Sequence, residues 1–565
     1  MKYLHLFNTK SEHDSFYNGN KYKEPWLAYV RDDIRMTYNK DYGKNYLTVE
    51  ILSDGNVTIT IPANVNSSHA TSISYSKDMS NWTETLVDDT AQTITIPVIT
   101  GDKVYLKGIA KQWGSSNSKY TTINSTANIN VSGNAMSLLY GDVFVDKTSF
   151  PADSRYTLCG LFSDNTHLIN ADHLKLPATT STDYCYFDMF NGCTSLTSAP
   201  KLPATTLADS CYAQMFSNCT SLTTAPELPA TTLTTYCYYY MFSECTALTA
   251  APYLPATTTA QCCYGYMFSG CTSLVQTHTL PAKTLTGTYT YAYMFSGCTA
   301  LTTPPELPAT TLTDYCYRYM FYECTSLTSA PELPATTMKT SCYQYMFNGC
   351  TSLTSAPELP ATTLANYCYQ NMFYNCTSLT TTPKLPATTL ATYCYYNMFN
   401  GCTSLTTAPV LPATTLANYC YQSMVSGCTS LTIAPELPAT KLVSDCYSSM
   451  FYNCTSLTSA PVLSAKTLTN CCYQSMFYGC KSLTTAPELP AKTLATYCYS
   501  NMFNGCSNLN YIKAMFTTTP STSYTDKWVT GVAANGTFVK KSTATWNVTG
   551  VNGIPTGWTV ETAAS

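Results

Sequence analysis

The chain has 565 residues, a formal net charge of −4 and only 11% charged residues, well below the roughly one quarter typical of globular domains. A neutral surface of Thr, Ser, Asn and Tyr lacks the basic stripe needed by a phosphate backbone or an anionic lipid surface, so neither nucleic acid nor membrane is an expected partner. An apolar content of 45% excludes general disorder, and no apolar run approaches the about 18–20 residues needed to insert into a bilayer.

Residues 1–40 begin MKYLHLFNTKSEHDSFYNGN, polar where a secretory signal would carry about 7–15 apolar residues, so export by the general secretory route is not expected. Residues 41–135 alternate apolar and polar positions between turn residues, as in YLTVEILSDGNVTITIP and KVYLKGIA, and predict an all-β sandwich domain. Residues 136–175 form a connector and an N-terminal solenoid cap, because LCGLFSDNTHL is a degenerate form of the unit repeated from Leu176 onward.

From 176 to 516 a unit such as LPATTLADSCYAQMFSNCTSLTTAPE (Leu202 to Glu227) recurs thirteen times, with starts from Leu176 to Leu489 spaced by 26 residues, except for one step of 27 after Leu280. So regular a period predicts a repeat solenoid in which each unit buries its apolar edge only against its neighbours. Residues 517–565, with WVTGVAANGTFVKK and GWTVE, predict a small closing β cap. All 28 cysteines lie between Cys159 and Cys506, whereas the six tryptophans lie outside the array.

Within the unit at Leu202, Cys211, Met215, Cys219 and Leu222 succeed one another at intervals of 4, 4 and 3, the stripe of a short helical turn facing the core. One cysteine column runs from Cys185 to Cys498, broken by Thr290, and the other from Cys193 to Cys506. Their alternating separations of 8 and 18 residues lack the close ligand pair of a zinc site, so the reading is small, buried, inert thiols without metal or cofactor. The doublets Cys262/Cys263 and Cys471/Cys472 add two edge thiols, Cys262 and Cys471, open to oxidation. Leu196 and its equivalents start a short strand that Ala-Pro and Leu-Pro end, which predicts a narrow parallel sheet two or three residues wide.

The pattern MFxxCxSLTxxPxLPxxxLxxxCYxxMF resembles the BspA-like leucine-rich repeats over roughly 60% of the chain, with Met-Phe in place of the usual Ala-Phe. The resemblance implies a leucine-rich repeat solenoid of short parallel strands and short helical turns, preceded by the all-β sandwich and closed by the β cap, and used for adhesion or recognition. Residues 1–40, with NGNKYKEPWLAYVRDD, and the tail with Gly-Ile-Pro before Gly-Trp-Thr-Val resemble segments of virion proteins from phages of gut anaerobes. That second resemblance implies a phage virion component, with the N-terminal segment contacting other virion proteins and the rod binding a host-surface glycan or protein. A bacterial surface adhesin and a purely structural virion decoration are the alternatives. A homo-oligomer is compatible with each, although neither heptads nor glycine triplets announce one.

No HExxH, GxSxG or GxxxxGK[ST] element occurs, and the six histidines form no constellation, so no enzyme is expected. The residues that vary between units are the pair before Met. In five successive units that pair ends in tyrosine: Tyr240, Tyr266, Tyr293, Tyr319 and Tyr345. With Tyr239 and Arg318 from the same pairs, they are the candidate ligand-binding residues, because flat apolar rings with hydroxyls suit sugar rings and protein hot spots. On this reading, serine at Tyr266, Tyr293 and Tyr319 removes binding and leaves the melting temperature nearly unchanged. The strand side, with Glu227, Glu306, Glu332, Glu358, Glu436 and Glu488 recurring, is monotonous by comparison.

Overall fold

The computed structural model describes residues 4–7, 27–30, 44–63, 65 and 69–563. The predicted attachment segment, residues 1–40, lies outside them except for two short strands, Leu4–Phe7 and Leu27–Val30, which pair in parallel. From residue 44 the alternating apolar pattern folds as two facing sheets. One holds six strands in the order Leu168–Lys175, Ile129–Asn134, Leu47–Ile51, Lys103–Ala110, Ala70–Ser76, Thr83–Leu86. The other holds Thr122–Ser125, Gly55–Ile61 and Gln92–Val98. Leu47, Val49, Val57, Ile59, Val104, Leu106, Ile123 and Ile129 lie fully buried among them. The period-two pattern thus places one face of each sheet in a shared core.

The strand Ile129–Asn134 joins the two parts of the molecule. It pairs antiparallel with Leu47–Ile51 on one side and parallel with Leu168–Lys175, the first strand of the rod, on the other. The sandwich also bonds to the cap turn of the rod: the Trp113 amide donates to the Thr157 carbonyl, and the Ile123 amide to the Leu161 carbonyl.

Along the rod the expected helical turns are absent. Between Tyr184 and Cys193, every second amide donates to a carbonyl three residues back, as Phe187 to Tyr184 and Met189 to Tyr186. The amides in between donate to the next unit along the chain, as Tyr186 to Cys211 and Phe190 to Met215. A left-handed residue recurs every fourth position, Tyr184 (φ 56°), Asp188 (φ 56°) and Gly192 (φ 73°), and this repeats in the other units. The segment is therefore a chain of β-turns stitched to its neighbours. Four-residue turns return side chains to the core at the interval of 4 that suggested a helix.

The core predicted for this segment is as expected, since Cys211, Met215, Cys219 and Leu222 are fully buried. Tyr212 and Phe216 join them, and both belong to ring stacks that run along the rod. The tyrosine stack runs from Tyr186 to Tyr499 and the phenylalanine stack from Phe162 to Phe503, interrupted at Val425.

The expected parallel sheet narrows to single bridges. Strand-side pairs such as Asn170 with Ser198, Ser355 with Thr381 and Thr407 with Ile433 pair one residue per unit. A second line of single bridges links the Thr of successive ATTL loops, as Thr180 with Thr206 and Thr389 with Thr415. The Ala-Pro and Leu-Pro steps remove the amides that would widen either ladder.

The step of 27 is absorbed at Gly287, where a Cβ would stand 2.0 Å from the Ala260 carbonyl carbon. Thr290, which takes a cysteine position there, is fully buried and donates its hydroxyl to the Gly287 carbonyl. Beyond Cys506 the stacking continues. Tyr511–Ala514, Thr537–Lys541 and Thr559–Ala563 form a three-stranded parallel sheet, and Trp528 and Trp546 close the apolar column. Among the described residues no helix is long and apolar enough to cross a membrane.

All 28 cysteines are free thiols. In the second column each thiol donates to the phenylalanine carbonyl of the preceding unit, as Cys219 to Phe190 (3.1 Å) and Cys245 to Phe216 (3.0 Å), with the carbonyl of Val425 serving Cys454. Burial pushes the thiols upward, Cys211 to about 11 and Cys263 to about 12. Thiolate is the reactive form, so these columns are inert under native conditions. Of the two predicted edge thiols, Cys471 is half-buried, but Cys262 is only 7% exposed. Labelling the native protein with a thiol-specific disulfide at pH 8 is expected to show one fast-reacting thiol, Cys471, with the other 27 of the 28 appearing only in denaturant. Fast labelling of several thiols would contradict the burial of the columns.

Candidate functional site

The turn side of each unit presents three neighbouring positions: the residue before the first cysteine, and the two before Met. In successive units each position becomes a column. The middle one runs Tyr239, Gly265, Ala292, Arg318, Gln344, between Tyr236, Cys262, Tyr289, Tyr315, Ser341 on one side and the five predicted tyrosines on the other.

The five tyrosines are brought together. Tyr240, Tyr266, Tyr293, Tyr319 and Tyr345 stack at centroid distances of 4.3, 4.2, 4.5 and 4.4 Å, within 11° of parallel. Their backbone explains the alignment: Tyr240 has φ 54° and the others 57–60°, so all five project alike from left-handed turns. Because the inner ring faces cover one another, the column offers edges and hydroxyls to a ligand, in place of the open faces expected from the sequence. Serine at Tyr266, Tyr293 and Tyr319 would remove all four stacked pairs, each worth about 0.5–1.5 kcal/mol beyond its buried area, and would lower stability, so the melting temperature would not stay unchanged.

Tyr239 stands edge-on to Tyr236, Tyr240 and Tyr266, at 5.1, 4.5 and 5.8 Å. Its ring lies over Gly265, where a Cβ would come within 3.1 Å of it. With Gly265 and Ala292 as floor, a notch of about 270 Å³ opens between the two outer columns. Tyr236 and Tyr289 line one side, Tyr266 and Tyr293 the other, with Tyr239 and Arg318 among the lining residues. Four of the seven predicted residues therefore line one concavity, while Tyr240, Tyr319 and Tyr345 extend the ladder beyond it.

Arg318 lies between Tyr315 and Tyr319, its guanidinium carbon 5.7 and 5.2 Å from the two ring centroids. Its Nε is buried without a hydrogen-bond partner, and among the described residues no carboxylate forms an ion pair with it. Burial raises the hydroxyl pKa of Tyr266 and Tyr293, so both remain protonated donors at neutral pH. Reasoning from the sequence overlooked Tyr236, Tyr289 and the two floor residues. The signal was present in Gly265 and Ala292, consecutive small residues in the most variable column. Among the described residues no group of three or more His, Cys, Asp or Glu is placed to hold a metal ion.

A periodic core, single parallel bridges and turns bonded between units define a leucine-rich repeat solenoid. Residues 167–302, 314–458 and 414–525 match the model of the BspA type leucine rich repeat region, in six copies, so the chain belongs to that family. A comparison with curated proteins found no match. Among solved structures, the crystal structure of a TLR13–ssRNA13 complex aligns at 14% identity and a TM-score of 0.21. The alignment covers 67% of this chain and 47% of that one, so this chain spans about half the length of its structural neighbour.

Proposed function

We propose that the chain is a non-enzymatic recognition protein, a phage virion component that attaches to a glycan or protein on the host surface through the tyrosine face of its rod. The observation that carries the reading is the concentration of aromatic edges, hydroxyls and one guanidinium without a carboxylate partner on five consecutive units of an otherwise neutral, repetitive surface. Tyr and Arg are the side chains that concentrate binding energy at recognition surfaces. Support for the virion setting is the resemblance of residues 1–40 and of the C-terminal tail to phage virion segments, with the N-terminal region as the contact to other virion proteins. The setting is accordingly a virion surface or extracellular.

The ring stacking also favours a second reading, a structural spacer whose tyrosines serve only to stiffen the rod. Phenylalanine at Tyr266, Tyr293 and Tyr319 separates the two, since it keeps the stacked rings and deletes the hydroxyls. On the recognition reading, binding of the purified chain to host cells falls by about tenfold or more, because several hydrogen bonds are lost, while the melting temperature stays within a few degrees. Undiminished cell binding by the variant moves attachment off the tyrosine face, and no binding by the unmodified chain supports the spacer.

A further inference from the structure

The column that begins with Tyr236 has a gap. Tyr289 stacks on Tyr315 through one face, at 4.5 Å and 2°. On its other side the column holds Cys262 and no ring, before Tyr236 resumes one unit further on. Beneath the gap the middle column is at its smallest, Gly265 and Ala292, and the next residue along that column is Arg318. A missing ring, a floor of small residues and a cation without a carboxylate partner thus coincide within three successive units.

From this coincidence we infer that the notch takes a single six-membered sugar ring bearing a carboxylate, seated where the array omits a tyrosine, with its carboxylate on Arg318. The inference deepens the recognition reading and rests on it. A ring in the gap faces Tyr289 as Tyr315 does from the other side, and the hydroxyls of the two flanking columns are donors for its own hydroxyl groups. The planar guanidinium fork matches a carboxylate in two parallel hydrogen bonds, and among the described residues no carboxylate pairs with it. The volume of about 270 Å³ lies just below the range of about 300–1,000 Å³ for small-molecule sites and suits one terminal sugar residue better than an extended chain.

The test is equilibrium binding of the full chain to glycans ending in a uronic or sialic acid and to their neutral counterparts, with host-cell binding measured in parallel. Three variants probe the gap. Ala292→Gln fills the floor with the residue that the array itself carries at Gln344 and Gln370. Cys262→Tyr completes the outer column, and Arg318→Gln removes the charge. The expected result is binding of acid-terminated glycans at least tenfold tighter than of neutral ones. That binding is lost in Ala292→Gln and Cys262→Tyr, and the acid preference is lost in Arg318→Gln, with melting curves matching the parent.

Absence of binding to acid-terminated glycans, or binding that Ala292→Gln leaves unchanged, overturns the inference. Cell attachment that persists in the full chain would then leave the broader reading standing on another surface. Loss of glycan binding in the variants with cell attachment intact supports the notch and separates it from the attachment surface.

Discussion

Alanine at Gly133 is expected to destabilise the sandwich by more than about 4 kcal/mol and to lower its melting transition by on the order of 15 °C. Gly133 lies in the strand shared by the sandwich and the rod, at φ 80°, and a Cβ there would stand 1.8 Å from the Tyr46 carbonyl oxygen and 2.7 Å from its carbon. Both obstacles are backbone, so no side-chain rotation relieves them, and the left-handed φ adds its own penalty for a residue with a Cβ. Scanning calorimetry with limited proteolysis near residue 135 checks the outcome. A variant that melts within a few degrees of the parent would show that the strand does not hold the two parts together.

The second large effect concerns Asp188 and depends on pH. This carboxyl is 7% exposed at the junction between sandwich and rod. Burial pushes its pKa up to about 7, against the opposing hydrogen bonds donated by Asn191 (3.1 Å) and the Tyr120 hydroxyl (3.5 Å). A group whose pKa is raised in the folded state stabilises that state fully below its unfolded pKa, near 3.8, and loses the contribution as pH rises through about 7. Asp188→Asn is therefore expected to stabilise the protein at pH 8, by on the order of 3 kcal/mol, and to change little at pH 4. The replacement copies the array's own solution, since Asn397 accepts from Asn400 at 3.1 Å in the equivalent place. Melting temperatures of both proteins from pH 4 to 8 test this, and parallel curves would refute it.

The period, the thirteen units and the Cys, Met and Leu columns of the core were legible in the sequence, because a solenoid repeats its buried positions from unit to unit, whereas the burial of the Tyr212 and Phe216 columns came only with the structure. The local backbone was misread. Cys211, Met215 and Cys219 are spaced as on a helix, yet chained four-residue turns satisfy the same interval. A discriminating signal stood one residue before the second cysteine, where Gly192, Gly270, Gly297, Gly349, Gly401, Gly427, Gly479 and Gly505 alternate with Asn and Glu. Glycine and asparagine recurring inside an apparent helix mark left-handed backbone. The tyrosine column was legible as a column, but whether its rings present faces or edges depends on a spacing that only the stacked backbone sets. The notch was illegible because its floor, walls and end come from three sequence positions whose lateral order is set by the turns.

Those turns also give the rod a direction. On the turn side, the amides that leave a unit donate to the unit after it, as from Tyr186 to Cys211 and from Phe503 to Trp528. The first turn is left with carbonyls to satisfy and the last with amides. The two ends of the molecule answer accordingly: the sandwich supplies donors, from Trp113 to Thr157 and from Ile123 to Leu161, whereas the closing segment supplies acceptors, from Lys527 to the Asn552 side chain and from Val529 to Val551. Exchanging the two end pieces would set donor against donor and acceptor against acceptor. Arrays stripped of both would have complementary ends and would join only head to tail, into open filaments. The terminal pieces thus hold the chain to a fixed length as well as shielding its core.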